Sequence, residues 1–282
     1  AHGITSTAGF IDLSSLGGPL ATTGDLGTNN QPIVLTAGGG LLTVGHNLNS
    51  NGGPITLVGI GVTQSVGTAN AGAGAILVDG GAGAVDLSAG TLTGNGGITI
   101  QDATAVVLGQ TNTTGTLTLG TAGQQITGDV SQGAGDLAVG TVAADTTGAI
   151  DLSVATNQIA VLGTISRGGA LTVRDSSGGL TVGGSITGGA IGNPVDIQTS
   201  GLLTVNGSIS TSGANNISLA GLGYTQSAAA TVNAGAGDIL IDGNGGNVRT
   251  GPLTTTSAGA AAVKIIATSS LDIDGAITAG SG

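Results

Sequence analysis

The 282-residue sequence predicts an all-β chain wound as a right-handed parallel β-helix (β-solenoid), with about three short strands in each coil of roughly 20–24 residues. Three observations carry this expectation. Aliphatic residues fall in short alternating triplets, the period of a strand with one buried face. The triplets recur at intervals close to one solenoid coil. The rest of the chain is dominated by 58 Gly and by Thr, Ser, Asn and Ala, with 7% charged and 1% aromatic residues. Such a composition makes tight corners and a narrow aliphatic interior rather than a conventional globular core. With 39% hydrophobic residues and a mean hydropathy of +0.42, the chain is too apolar for low-complexity disorder.

The stretch up to Asn30 is weakly patterned. Beyond it come Ile55-Thr56-Leu57, Ile98-Thr99-Ile100, Leu117-Thr118-Leu119 and Leu137-Ala138-Val139. A regular series follows, with triplets beginning at Ile150, Leu171, Val195, Ile217, Ile239 and Val263. Its members are evenly spaced, at roughly 21–24 residues, which is one coil. A second series runs beside it at Ile159, Leu180, Leu203, Tyr224, Val248 and Leu271, and a third at Ile165, Ile186, Ile209, Val232 and Ile277. Three strands per interval let each strand stack on its equivalent in the next coil, about 4.8 Å away, so that backbone groups pair between coils. Gly and Asn supply the corners, and Thr, Asp, Ser and Asn the outer face. About 13 coils at this spacing give a rod roughly 60 Å long. The register between Thr121 and Thr147 is irregular. The step from Leu117 to Leu137 is close to a coil length, but the step from Leu137 to Ile150 is far too short for one.

A longer repeat overlies the coils. Residues 32–93 match 194–256, and one offset relates Gln64 to Gln226 and Pro32 to Pro194. The expectation is a single continuous β-helix over 1–282, a segment of a longer tandem array with a superrepeat of about 162 residues.

Charge and composition exclude several functions. Four Lys+Arg against 15 Asp+Glu leave a net charge of −11, with no basic stripe for nucleic acid. No apolar run is long enough to span a membrane as a helix. With no Cys there is neither a disulfide framework nor a Cys-ligated metal. Gly38-Gly39-Gly40 is a corner and not a phosphate loop, because no G-K-[ST] follows.

The residues that could carry chemistry are few. Asp151, Asp196 and Asp272 are carboxylates spaced one per coil on outward positions, and Arg174 beside Asp175 reads as a local surface pair. Asp272 and Asp274, two residues apart on one strand face, are the best place for weak calcium binding, although the tandem nonapeptides of a calcium roll are missing. His2 and His46 are isolated and read as turn residues. The outward Thr56, Thr99, Thr118 and Thr172 suggest an ordered hydroxyl array, interrupted by Asp151, Asp196, Leu240 and Lys264. Tyr224, which stands where Val62 stands in the other long repeat, reads as a partly buried strand residue rather than a sugar platform. No catalytic, cofactor or metal site is assigned, and no cofactor is expected.

The segments Gly59–Ser65 and Gly221–Ser227 (G-x-G-[VY]-T-Q-S), the run Asn157–Ile165 and the repeated G-x-L-T-V triplets resemble the repeat regions of filamentous haemagglutinin-like bacterial exoproteins. The resemblance implies export across a Gram-negative envelope and a role in adhesion or matrix building. The expected function is therefore an extracellular structural or adhesive rod at a bacterial cell surface, an adhesin stalk or biofilm matrix fibre, and not an enzyme. Its expected partners are further copies of itself, end to end or side by side, or a host or neighbouring cell surface. The alternatives are a β-helical polysaccharide lyase or hydrolase, distinguished by loss of glycan cleavage on mutating Asp196 and Asp272, and a calcium-dependent β-roll, distinguished by circular dichroism with chelator.

Overall fold

A computed structural model describes residues 3–190 and 192–280. The described residues contain strands, turns and isolated bridges but no helix, and the parallel strands stack as a β-solenoid of about 12 turns. The chain divides into two compact units, 1–146 and 147–282.

In the first unit the alternating triplets build three parallel ladders. One stacks Ile11, Ile33, Ile55, Ile76, Ile98, Leu117 and Val142. The second stacks Leu20, Leu42, Val62, Val85, Val106 and Val130. The third stacks Ile4, Leu26, Leu48, Ala69, Leu92, Thr111 and Leu137. Successive strand residues point to opposite faces, so Ile55 and Leu57 are fully buried while Thr56 between them is half-buried on the outer face.

The weakly patterned N-terminal stretch belongs to these ladders. Ile4–Ser6, Ile11–Ser15, Leu20–Thr22 and Leu26–Thr28 each pair with a strand of the next coil. Its large apolar residues Phe10 and Leu16 lie outside, 65% and 94% exposed, which blurs the sequence pattern there. The irregular register further on is also resolved. Leu117 pairs with Val142, and Leu137 pairs with Thr111 on another ladder. Leu137 is therefore not the successor of Leu117, and the short interval measured from it to Ile150 is not a coil length. The coil from Leu117 to its partner is longer than its neighbours because it contains a tight turn in which Thr121 and Gln124 exchange backbone hydrogen bonds.

The second unit follows the expected spacing closely. Its first ladder stacks Ile150, Leu171, Val195, Ile217, Ile239 and Val263. Its second runs through Leu180, Leu203, Tyr224, Val248 and Leu271. Here Val161 and Leu162, rather than Ile159, supply the pairing below Thr181 and Val182. The third stacks Ile165, Ile186, Ile209, Val232, Leu253 and Ile277.

Gly39 and Gly40 form a corner, as expected, but for a reason of crowding: a Cβ there would lie 2.9 Å from the Gly17 carbonyl carbon and 2.8 Å from the Pro19 nitrogen of the preceding coil. The corner needs a bare backbone so that two coils can approach.

Candidate functional site

The two long repeats place a glutamine inward at the same point. Gln64 and Gln226 are both buried. Gln64 Nε2 donates to the carbonyls of Gly67 (2.9 Å) and Thr91 (3.2 Å), and Gln226 Nε2 to those of Ala230 (2.9 Å) and Pro252 (3.0 Å). Each glutamine thus ties its own corner to the next coil. The copies differ at the amide oxygen. Tyr224, fully buried rather than partly so, donates its hydroxyl to Gln226 Oε1 at 3.0 Å. Val62 supplies no such donor, and Gln64 Oε1 is buried without a partner.

Tyr224→Phe is therefore expected to orphan Gln226 Oε1 and cost about 1–2 kcal/mol, read as a lower denaturation midpoint. Burial also pushes the Tyr224 hydroxyl well above its ordinary pKa. The folded state then holds this proton longer than the unfolded chain, so the contribution is complete below pH ~10 and is lost as pH rises further. The Phe variant should lack that alkaline loss.

The outward carboxylates do not converge. In the second unit Asp151, Thr172, Asp196, Ser218, Leu240 and Lys264 form one column across successive strands. Asp196 is engaged by Arg174 Nη2 at 2.6 Å from the preceding coil. The expected Arg174–Asp175 surface pair is not formed, because adjacent strand residues face opposite ways. Asp175 points inward, 5% exposed, and accepts from Ile159 N (2.8 Å), Thr199 Oγ1 (2.8 Å) and Ser177 Oγ (2.9 Å). This buried carboxylate was not legible as a structural anchor; its signal would have been a charged residue at an inward position of the Leu171-Thr172-Val173 strand. Asp272 and Asp274 do share a face, but Arg249 of the coil below reaches both, at 3.9 Å from Asp272 and in hydrogen-bond contact with Asp274. A guanidinium thus stands at the place considered for calcium.

In the first unit the outward threonines sit in the column Val34, Thr56, Leu77, Thr99, Thr118 and Ala143, so Leu77 interrupts the hydroxyl array. His46 is half-exposed, with Nδ1 3.6 Å from Asp25 Oδ1; His2 lies outside the described residues. Among the described residues no three His, Asp or Glu side chains are grouped to hold a metal ion. No family model, curated protein or solved structure matches this chain.

Arg167 is the one buried cation among the described residues, 3% exposed. Its Nη1 donates to the carbonyls of Asn193, at 3.2 Å, and Gly169, while Nε and Nη2 are buried without partners. Burial pushes its pKa down to about 10, below the ordinary guanidinium value. Between these values the unfolded chain binds the proton and the folded one releases it, so Arg167 makes stability rise with pH through that window. Arg167→Met is expected to abolish this rise, as measured by urea midpoints between pH ~9 and ~12.

Proposed function

We propose that this chain is a structural or adhesive segment of an extracellular bacterial surface protein, an adhesin stalk or matrix fibre of the filamentous haemagglutinin-like kind, with no catalytic role. The observation that carries the reading is the disposition of charge. Arg174 and Arg249 each clasp carboxylates of an adjacent coil, and the remaining outward columns are mostly Thr, Ser, Asn and small apolar residues. A general acid or base needs a neighbouring group to tune it, whereas these ion pairs join coil to coil. Stacked parallel ladders suit a load-bearing element, since each coil is held to its neighbours by a row of backbone hydrogen bonds. Among the described residues no helix is long and apolar enough to cross a membrane. Antibodies raised against the chain should label intact, unpermeabilised cells of the producing bacterium, and brief protease treatment of those cells should remove the signal. Labelling only after permeabilisation would overturn the proposal.

A further inference from the structure

The outer face of the third ladder in the first unit carries a notch. Its outward residues are Thr5, Gly27, Asn49, Asn70, Thr93 and Asn112. Gly27 is the odd member. Its backbone is not in the left-handed region, and a Cβ would meet nothing closer than 3.8 Å, so neither conformation nor crowding demands glycine. Over Leu26 and Gly27, where no side chain projects, lies an open-sided space of about 480 Å³ bordered by Asp25, Asn47, Asn49 and Asn70.

The polar groups around this space are oriented. Asn49 Oδ1 accepts from Asn51 N at 3.1 Å and Asn70 Oδ1 from Gly72 N at 2.9 Å, which fixes both amides and leaves their Nδ2 groups to donate. Asn47 is held at both ends: its Oδ1 accepts from Thr68 N at 3.0 Å, and its Nδ2 donates to Asp25 Oδ1 at 3.3 Å. Asp25 Oδ1 also accepts from Asn47 N at 3.1 Å, leaving Oδ2 as an acceptor with no partner among the described residues. The notch thus offers fixed donors and one anionic acceptor.

The second unit supplies an internal comparison. Its third ladder carries Ser166, Thr187, Ser210, Asn233 and Thr254 outward. Leu48 and Ile209 are equivalent in the long repeat, and each stacks on the strand before it, so Thr187 stands where Gly27 stands. Likewise Gly207 and Ser208 replace His46 and Asn47. Even the bond from Thr68 N to Asn47 recurs, as Thr231 N to Ser208 Oγ at 3.1 Å. The second unit keeps the scaffold and carries a threonine side chain at the position of Gly27.

We infer that the notch at Gly27 is a binding site for a neutral saccharide unit. A pyranose has adjacent hydroxyls that can donate to Asp25 Oδ2 and accept from the Asn49 and Asn70 amides at once. An acidic sugar would meet Asp25 and a chain of net charge −11, and a Ca²⁺ ion, which takes six to eight oxygens, would find the amide oxygens already engaged. With no aromatic platform a single site binds weakly, and useful affinity comes from many sites presented together. The inference goes beyond the surface-scaffold reading and does not rest on it, since a chain in another compartment would keep the same notch.

The test is a titration of ¹⁵N-labelled chain with glucose, galactose, mannose and N-acetylglucosamine, followed by NMR. At least one sugar is expected to give saturable shifts at Gly27 and at the Asn49 and Asn70 side-chain amides, with Thr187 and Asn233 unmoved. Gly27→Thr, which installs the second unit's residue, should keep the circular dichroism spectrum and weaken binding by about tenfold or more. No saturable shift with any of the four sugars, equal shifts at Thr187, or unchanged binding by the Gly27→Thr chain would each overturn the inference.

Discussion

Asn215→Ala is expected to cost about 1–3 kcal/mol, because it removes a buried amide that ties two successive corners together. Asn215 is 1% exposed. Its Nδ2 faces the carbonyls of Ala190 (2.7 Å), Ser212 (2.7 Å) and Gly189 (3.2 Å), and its Oδ1 accepts from Asn193 N (2.8 Å). One side chain thus closes its own corner and secures the corner of the preceding coil. Alanine removes this bridge between corners, while Gly189 O keeps Ser212 Oγ and Asn193 N and Ala190 O keep each other. Because coils interact mainly with their neighbours, the loss should be local: hydrogen exchange should accelerate at Gly189, Ala190, Asn193 and across 211–217, while strands of the first unit keep their protection. Uniform acceleration over the whole chain, or none, would count against this account.

Leu219→Ala should cost about 3 kcal/mol, and Leu240→Ala much less. The two leucines lie on stacked strands, yet Leu219 is fully buried between Ile197 and Ile241, and Leu240 stands on the outward column above Ser218. Truncating the inward residue opens a cavity in a narrow interior with little freedom to collapse; truncating the outward one exposes a site that already meets solvent. Denaturation midpoints of the two variants compare these effects within one ladder step. Equal losses would mean that Leu219 and Leu240 do not face opposite sides of the second unit.

Most of the fold was legible because its signal is short and repeated. From Ile150 onward the triplets of the first series are strong, rich in β-branched residues and evenly spaced, and each pairs with the one expected. Legibility ends where side chains stop marking the two faces. Val142-Ala143-Ala144 pairs with Leu117-Thr118-Leu119, but two alanines conceal its alternation, and the neighbouring Leu137-Ala138-Val139 has the more regular pattern. Phe10 and Leu16 mislead in the opposite sense, as large apolar residues on the outside.

Of the candidate site residues, Asp272 and Asp274 were legible as neighbours on one face, but the notch at Gly27 was not legible at all. It is made of outward residues from successive coils, held by hydrogen bonds between those coils, and its defining feature is an absent side chain at Gly27. Composition argues against a sugar platform by its lack of aromatics, which addresses stacking but not a notch of fixed amides. Asp175 was hidden for a related reason: strand parity, not proximity to Arg174, decides which way it points.

The uneven coil lengths have an engineering consequence. The step from Leu117 to Val142 is longer than the step from Ile98 to Leu117, yet all three residues keep parallel register. The surplus leaves through the Thr121–Gln124 turn, where a Cβ on Gly123 would touch nothing within 4 Å. A peptide epitope spliced between Ala122 and Gly123 should accordingly be displayed to solvent while the strands on either side stay in step, making this corner a natural port for cargo.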